Sequence, residues 1–317
     1  MAKIYISGEI PQIGYKLLSE HDVEVYRGTE LITEQELSEK IKDVDALLCP
    51  LSTPVTRDVM KKAKNLKIIA NFGAGFNNID TAYAKEHNIV VTNAPGVSTE
   101  ATAELTLGII LAVMRRIPEG DQLCRTVGFN GWAPLFFLGR ELSQKTLGII
   151  GLGSIGQAVA KRAKAFGMNI IYTSPRRKDR TIEEVCDASY VSLDELLRQS
   201  DIVSIHTPYN ASTHHLMTLS QIEKMKKDAF LVNVSRGAVV KEGDLVKALQ
   251  DKMIAGAALD VFEFEPTITE ELKQMKNVVL TPHIGNATIE ARNAMAELTA
   301  KNILQVLNGE KPLTPVN

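Results

Sequence analysis

Leu147-Gly-Ile-Ile-Gly151-Leu-Gly153-Ser-Ile-Gly156 is a hydrophobic strand pattern that leads directly into a Gly-x-Gly-x-x-Gly turn. A helical pattern over residues 157–166 follows the turn, and another strand pattern begins at residue 169. The glycine pattern alone is short and common. Between a strand and a helix, however, it predicts a turn that binds a dinucleotide.

Each glycine of this turn has a separate role. Gly151 permits the tight turn, Gly153 lets the backbone approach a diphosphate, and Gly156 allows the helix to pack closely on the strand. The amides of Ser154 and Ile155 lie at the expected helix N-terminus, where they would donate hydrogen bonds to the diphosphate.

Short β-rich runs alternate with helical patterns along the chain, as is typical of parallel sheets with helices on both faces. Before the glycine turn, the patterns predict strands at residues 3–7, 23–26, 46–49, 66–70 and 89–92, with helices at 12–20, 34–41, 56–63 and 80–87. From residue 146 onward they predict strands at 146–150, 169–172, 202–206, 230–234, 255–261 and 278–281, then a helix at 288–308.

The restart of the strand series at residue 146 predicts two domains. We expect an α/β protein with two doubly wound parallel-sheet domains, separated by a deep cleft. Residues 1–98 plus 288–317 would form a flavodoxin-like substrate domain, and residues 99–287 a Rossmann cofactor domain. A strongly apolar helix over residues 100–116 would begin after an N-cap at Ser98 or Thr99 and end at Arg115-Arg116, buried between layers or domains.

Residues 128–139 do not fit the alternation and contain the only tryptophan of the chain. This aromatic-rich segment could be a loop packed on its own domain. Apolar segments of this kind also form subunit interfaces, and we favour a homodimer contact here.

Bulk properties exclude several classes of protein. The chain has 317 residues, 44% hydrophobic, with a net charge of −2 and no long run of one sign, which argues against nucleic-acid or membrane-surface binding. It shows no signal-peptide layout and no apolar stretch near the roughly 18 residues that span a bilayer, so we expect a cytoplasmic protein. The three cysteines form no CxxC pair, and no His, Cys or Asp cluster predicts a metal site.

The segment Tyr172-Thr-Ser-Pro-Arg-Arg-Lys178 bears on the choice of dinucleotide. An NAD site usually has an acidic residue here for the ribose 2′-hydroxyl, and this segment has none. Ser174 together with Arg176 or Arg177 could instead bind a 2′-phosphate. The segment therefore favours NADP over NAD, although its cations could also be a solvated loop.

Three polar residues follow hydrophobic runs near the end of the second series: Arg236, Glu265 and His283. Each alone has an ordinary explanation: a surface cation, a solvated loop acid or a core histidine. Together, at successive strand ends of a parallel sheet, they face the crevice that binds the dinucleotide.

This set of side chains suits reduction of a 2-keto acid. Arg236 has the planar guanidinium that binds a carboxylate. His283 can exchange a proton near neutral pH, and Glu265 could fix its tautomer and favour the imidazolium. His283 would protonate the alkoxide that forms when a nicotinamide reduces the carbonyl, and would act as base in reverse.

The chain resembles the D-isomer-specific 2-hydroxyacid dehydrogenases over essentially its whole length. Besides the glycine turn, the resemblance rests on Asn71-Phe-Gly-Ala-Gly-Phe-Asn-Asn-Ile-Asp80, Val91-Thr-Asn-Ala-Pro-Gly96, His206-Thr-Pro208, Asn233-Val-Ser-Arg-Gly237, Ala257-Ala-Leu-Asp-Val-Phe262 and Thr281-Pro-His-Ile-Gly285. Several long motifs in the same order make this resemblance specific.

The resemblance implies roles for particular residues and a dimer with its active site in the interdomain cleft. Arg236, Glu265 and His283 would be catalytic, and the amides of Ala74 and Gly75 would help to hold the substrate carboxylate. Asp260 would lie near the nicotinamide. The rest of the cofactor site would include His206, Thr207, Pro208, Val234, Ser235 and Gly285.

Within this family the segments Gly131-Trp-Ala-Pro134 and Phe137-Leu-Gly139 are most similar to the glyoxylate/hydroxypyruvate reductase branch, whose NADPH-using members also resemble the loop at 174–177. Asn77 and Asn286 depart from the usual pattern, which bears on substrate details.

A 3-phosphoglycerate dehydrogenase or another NAD-using member of the family is an alternative. A formate dehydrogenase is disfavoured because that branch has glutamine where Glu265 stands, and a dinucleotide-sensing corepressor is a remote alternative.

Overall fold

The structure is a computed structural model that describes residues 1–317. The chain forms two compact units, one of residues 1–98 with 286–317 and the other of residues 99–285. The second boundary lies two residues before the predicted position at 288. No helix is both long enough and apolar enough to cross a membrane.

Each predicted strand and helix is present, and the structure adds one further strand and several helices that were not predicted. The strands are β1 Lys3–Ile6, β2 Asp22–Val25, β3 Ala46–Pro50, β4 Ile68–Phe72, β5 Val90–Thr92, β6 Thr146–Ile150, β7 Asn169–Thr173, β8 Ala188–Tyr190, β9 Ile202–Ile205, β10 Phe230–Asn233, β11 Gly256–Leu259 and β12 Val278–Leu280. The helices are α1 Gln12–Leu17, α2 Glu34–Lys40, α3 Arg57–Met60, α4 Thr81–Glu86, α5 Thr99–Met114, α6 Ile117–Arg125, α7 Ser154–Ala165, α8 Arg180–Cys186, α9 Leu193–Gln199, α10 Leu219–Ile222, α11 Glu242–Gln250, α12 Glu270–Gln274 and α13 Ile289–Leu307, with a 3-10 turn at Gly237–Val239.

The first unit is built on a five-stranded sheet in the order β2-β1-β3-β4-β5, and all of its pairs are parallel. This is the flavodoxin-like order. Successive residues of a strand face opposite sides, so Tyr5 and Leu47 pack toward α2, α3 and α4. Ile4 and Leu48 pack on the other side, against Ile303 and its neighbours on α13.

The second unit contains a seven-stranded parallel sheet in the order β12-β11-β10-β9-β6-β7-β8. The strand order reverses between β6 and β9, and in sheets of this kind that switch point is where a ligand binds. One face packs on α5 and α7, through residues such as Ile110 and Val159, and the other on α9 and α11. The predicted pair of doubly wound sheets is confirmed.

Some local features differ from the predictions. Helix α5 ends at Met114, and Arg116 then adopts a left-handed backbone with φ of 55°. The arginine pair thus follows α5 instead of forming its last turn, and Arg116 forms an ion pair with Glu119 at 2.6 Å. Strand β8 was not predicted, because its sequence Ala-Ser-Tyr lacks the apolar β-branched residues that mark the equally short β5 and β12.

Candidate active site

Arg236, Glu265 and His283 all follow strands at the same edge of the second unit. They come after β10, β11 and β12, which are neighbours in the sheet. The structure brings Glu265 and His283 into direct contact: His283 Nδ1 and Glu265 Oε2 lie 2.9 Å apart. The prediction that these two side chains pair therefore agrees with the geometry.

The contact defines which nitrogen of His283 is available. A carboxylate only accepts hydrogen bonds, so Nδ1 carries a proton and donates it to Glu265. Nε2 forms no hydrogen bond within the protein, and about 30% of the His283 side chain is exposed. The ring can therefore give or take a proton at Nε2 while Nδ1 stays held.

Glu265 remains ionised in this setting. Burial raises the pKa of Glu265, but the hydrogen bond and charge of His283, the amide of Phe262 and the charge of Arg236 together hold it below its ordinary value. Phe262 N donates to Glu265 Oε1 at 2.9 Å, which leaves Oε2 for the histidine. A fixed carboxylate of this kind holds the imidazole ring in one orientation and one tautomer.

Arg236 is carried by a turn that a buried asparagine organises. Asn233, only 1% exposed, accepts hydrogen bonds from Ser235 N and Ser235 Oγ and donates from Nδ2 to Arg236 O at 2.9 Å. Burial lowers the pKa of Arg236, and the charge of Glu265 acts in the opposite direction. The guanidinium therefore lies close enough to Glu265 to interact electrostatically with its carboxylate.

Asp260 holds the turn that presents His283. Its carboxylate, 1% exposed, accepts hydrogen bonds from Thr281 Oγ1 at 2.6 Å and from the amides of Ile284 and Gly285, both at 2.8 Å. His283 itself adopts a left-handed backbone with φ of 52°, which is uncommon outside glycine. The three hydrogen bonds to Asp260 offset the cost of that conformation.

A second carboxylate network holds the loop that carries Glu265, and sequence reasoning missed it. Glu263 Oε2 accepts from Glu242 N at 2.8 Å, and Glu242 Oε2 accepts from Glu263 N at 2.9 Å. Glu263 Oε1 also lies 2.5 Å from His215 Nε2, and Thr269 Oγ1 donates to Glu242. These residues are 21 and 48 positions apart, so only the proximity of Glu263 to Glu265 signalled a role.

The glycine turn has the geometry expected of a dinucleotide site. Gly151 has φ of 98°, and a Cβ there would lie 2.9 Å from the His206 carbonyl. A Cβ on Gly156 would lie 2.3 Å from Gly151 O, whereas one on Gly153 would meet nothing within 4 Å. The amides of Ser154 and Ile155 bond to no protein group. Open space above free amides at the N-terminus of α7 fits a diphosphate.

The two candidate arginines in the loop after β7 differ in their side-chain partners. Arg177 forms a two-pronged ion pair with Glu183, at 2.9 Å and 2.8 Å, and Tyr172 also donates to that carboxylate at 2.7 Å. Arg176 is exposed and forms no ion pair or side-chain hydrogen bond. Ser174 Oγ accepts from Leu152 N at 3.1 Å, so it lies against the glycine turn with its hydroxyl proton free to donate.

The remaining predicted cofactor residues lie at the ends of β9 and β10. His206 Nε2 lies 2.8 Å from Ser204 Oγ, and burial lowers the pKa of His206 to about 3. His206 is therefore a neutral ring, and its Nδ1 has no partner. Thr207 and Val234 are buried, and Pro208 O accepts from Thr213 Oγ1 at 2.7 Å.

Ala74 and Gly75 belong to the first unit, in the loop that follows β4. Their amides donate to no protein group, and their carbonyl oxygens accept hydrogen bonds from Asn93 and Asn71, both at 2.6 Å. The loop thus offers free backbone donors, as an anion-binding loop must.

A doubly wound unit with a glycine turn at its switch point, and a histidine paired with a carboxylate at the same edge, is typical of nucleotide-dependent oxidoreductases. Residues 107–285 match the family described as D-isomer specific 2-hydroxyacid dehydrogenase, NAD binding domain. A Staphylococcus epidermidis protein, provisionally named a 2-hydroxyacid dehydrogenase, is 56% identical over 318 residues, with 100% of both chains covered.

Solved structures agree with this assignment. The chain is similar to a crystal structure of a Thermus thermophilus protein, with a TM-score of 0.94, 39% identity and coverage of 99% and 100% of the two chains. It is also similar to an NADPH-dependent glyoxylate/hydroxypyruvate reductase from Sinorhizobium meliloti in complex with NADP and malonate, with a TM-score of 0.86, 31% identity and coverage of 99% and 96%. The chain belongs to the D-isomer specific 2-hydroxyacid dehydrogenases, a family of oxidoreductases that use a nicotinamide cofactor.

The ion pair between Glu183 and Arg177 predicts how the free energy of unfolding changes at acidic pH. The hydrogen bonds from Arg177 and Tyr172 lower the pKa of Glu183 from 4.5 to about 2 in the folded protein. Stabilisation by the ionised carboxylate is then complete above pH 4.5 and is lost as the pH falls toward 2. Urea unfolding between pH 5 and pH 3 should show a shallower loss of stability in Glu183→Gln than in the parent protein.

Glu184→Gln is the matched control, since Glu184 pairs with Arg180, whose side chain is 90% exposed. That variant should keep the parent slope, because exposed pairs contribute little. Equal slopes for Glu183→Gln and the parent would contradict the assignment of the shift to Glu183.

Proposed function

We propose that this protein is an NADPH-preferring reductase that converts small 2-keto acids of the glyoxylate and hydroxypyruvate type to D-2-hydroxy acids. The observation that carries the proposal is the contact of 2.9 Å between His283 Nδ1 and Glu265 Oε2, which leaves Nε2 open at the edge that carries Arg236. The reverse reaction, oxidation of the hydroxy acid, uses the same groups.

The chain's own residues supply binding and proton transfer. Arg236 binds the substrate carboxylate through its planar guanidinium and so orients the ketone. His283 donates the Nε2 proton to the carbonyl oxygen as negative charge develops there. Glu265 keeps the ring in the required tautomer and stabilises its charged form before transfer. The amides of Ala74 and Gly75 bind the substrate carboxylate as further donors.

The nicotinamide cofactor, when bound, supplies the hydride that reduces the carbonyl carbon. The turn at 151–156 and the amides of Ser154 and Ile155 would hold its diphosphate. Further contacts along the edge would come from His206, Thr207, Pro208, Val234, Ser235, Asp260 and Gly285.

Preference for NADPH rests on the loop after β7. Residues 172–178 lack the acid that would bond a ribose 2′-hydroxyl, and Glu183 of α8, which lies beside this loop, is paired with Arg177. Arg176 has no competing partner, and the Ser174 hydroxyl can donate beside it. We therefore assign Arg176 and Ser174 to the 2′-phosphate and give Arg177 a role in shaping the loop.

Homodimer formation through residues 128–139 is also part of the proposal. The segment forms no helix or strand, and Trp132 and Leu135 are 86% and 85% exposed. Phe129 and Leu138 are also exposed, by 59% and 60%. An exposed apolar segment of this kind is typical of an isologous interface in a symmetric dimer.

The proposed activity predicts turnover of glyoxylate and hydroxypyruvate with NADPH. The assay measures this turnover as the loss of NADPH absorbance. His283→Gln and Arg236→Gln should each lower kcat/KM by at least about a hundredfold, because each removes a group that acts at the reacting carbonyl or carboxylate. Cofactor binding, measured by fluorescence, should persist in His283→Gln. Tight cofactor binding without turnover on a broad panel of 2-keto acids would refute the proposal in favour of a dinucleotide sensor.

Cofactor preference predicts a selective effect of Arg176→Ala. Loss of one charge-assisted contact to the 2′-phosphate should raise KM for NADPH by roughly tenfold to a hundredfold and leave KM for NADH nearly unchanged. Arg180→Ala removes a nearby cation that is 90% exposed and already paired with Glu184, and it should change neither value. Parallel changes for NADPH and NADH in Arg176→Ala would contradict the assignment.

A further inference from the structure

The loop over residues 73–76 has an unusual distribution of backbone hydrogen bonds. The carbonyl oxygens of Gly73, Ala74 and Gly75 all accept hydrogen bonds from inside the first unit. The backbone amides of Ala74, Gly75 and Phe76 donate to no protein group. One side of this loop is fully bonded, and the other carries only free donors.

The geometry of the peptide group links these two observations. In a planar trans peptide, the carbonyl of one residue and the N–H of the next point in opposite directions. Ala94 N donates to Gly73 O at 2.8 Å, so the Ala74 N–H points away from Ala94. Fixing the carbonyls of Ala74 and Gly75 in the same way directs the N–H groups of Gly75 and Phe76 away from the interior.

Two buried asparagines fix those carbonyls. Asn93, 8% exposed, donates from Nδ2 to Ala74 O at 2.6 Å, and Asn71, fully buried, donates from Nδ2 to Gly75 O at 2.6 Å. Asn78 Nδ2 donates to Asn71 Oδ1 at 3.2 Å and to Thr53 O at 2.9 Å. Because Asn71 Oδ1 is an acceptor in this chain of bonds, its amide orientation is determined, and Nδ2 must face Gly75.

We propose that Asn71 and Asn93 are positioning residues for recognition of the substrate carboxylate, and that Phe76 supplies a third amide beside those of Ala74 and Gly75. The inference rests on the proposed function and deepens it. The asparagines do not touch the substrate. They hold three peptide groups in the orientation that an anion requires, so that no reorganisation is needed when it binds.

The charge of the ligand distinguishes this role from a purely structural one. A loop that was only loosened would bind all substrates less well. Peptide groups that had rotated would lose affinity for a carboxylate in particular, since a neutral ester accepts weaker hydrogen bonds than an anion. The ratio of kcat/KM for glyoxylate to kcat/KM for its neutral methyl ester therefore reports the orientation of the amides.

The test uses Asn93→Ala and Asn71→Ser in the full-length protein with NADPH. Each variant should lower kcat/KM for glyoxylate by on the order of tenfold to a hundredfold, mainly through KM, and that for methyl glyoxylate by less than about threefold. Thr299→Val is the matched control. Thr299 is also a fully buried polar residue of the first unit, but its hydroxyl bonds only the carbonyls of Met295 and Ala296 in its own helix, so its loss should leave the ratio unchanged.

A binding measurement separates failure of this inference from failure of the proposed function. In amide-resolved NMR spectra, oxamate, an unreactive carboxylate, should shift the Ala74, Gly75 and Phe76 signals of the parent protein and shift them far less in Asn93→Ala. That result without turnover of any 2-keto acid would uphold the inference and refute the activity. Equal losses for glyoxylate and its ester, or oxamate shifts that do not change in the variant, would overturn the inference.

Discussion

Parallel pairing of β10, β11 and β12 is the constraint on which the candidate site depends. Asn233 pairs with Leu259, and Leu259 with Leu280, so three consecutive strands end at the same level of one sheet. Every turn that leaves this edge starts within a few residues of that level. Arg236, Glu265 and His283 are 29 and 18 residues apart in the chain, yet they reach one side of the sheet for this reason alone.

Strand pairing brings the turns together, but buried polar side chains set their conformations. Asn233 holds the turn of Arg236, Asp260 holds the turn of His283, and Glu263 with Glu242 holds the loop of Glu265. The same device recurs in the first unit, where Asn71 and Asn93 hold the loop at 73–76. In each case a buried carboxylate or carboxamide satisfies backbone groups that the end of a strand leaves unpaired. The functional groups are thereby held in place before any ligand binds.

Sequence patterns were sufficient for the fold and for the composition of the candidate site. Both sheets, the glycine turn and the histidine–glutamate pair follow from hydrophobic alternation and from polar residues at strand ends. Strand β8 was missed because Ala-Ser-Tyr lacks the apolar β-branched residues that revealed the equally short β5 and β12. The pairing of Arg177 with Glu183 could not be inferred either, because either arginine of the loop satisfies the same motif. Only the side-chain geometry shows that Glu183 forms its ion pair with Arg177 and not with Arg176.

The tautomer of His283 is the most direct test of the central claim, that Glu265 holds Nδ1–H and leaves Nε2 to exchange the proton. ¹⁵N NMR of the ring nitrogens, recorded above the pH at which the ring deprotonates, reports the tautomer of each of the six histidines, and His283→Gln identifies the relevant signals. We predict that neutral His283 carries its proton on Nδ1, and that Glu265→Gln perturbs this preference. A neutral ring protonated on Nε2 in the parent protein would contradict the assigned roles of both residues.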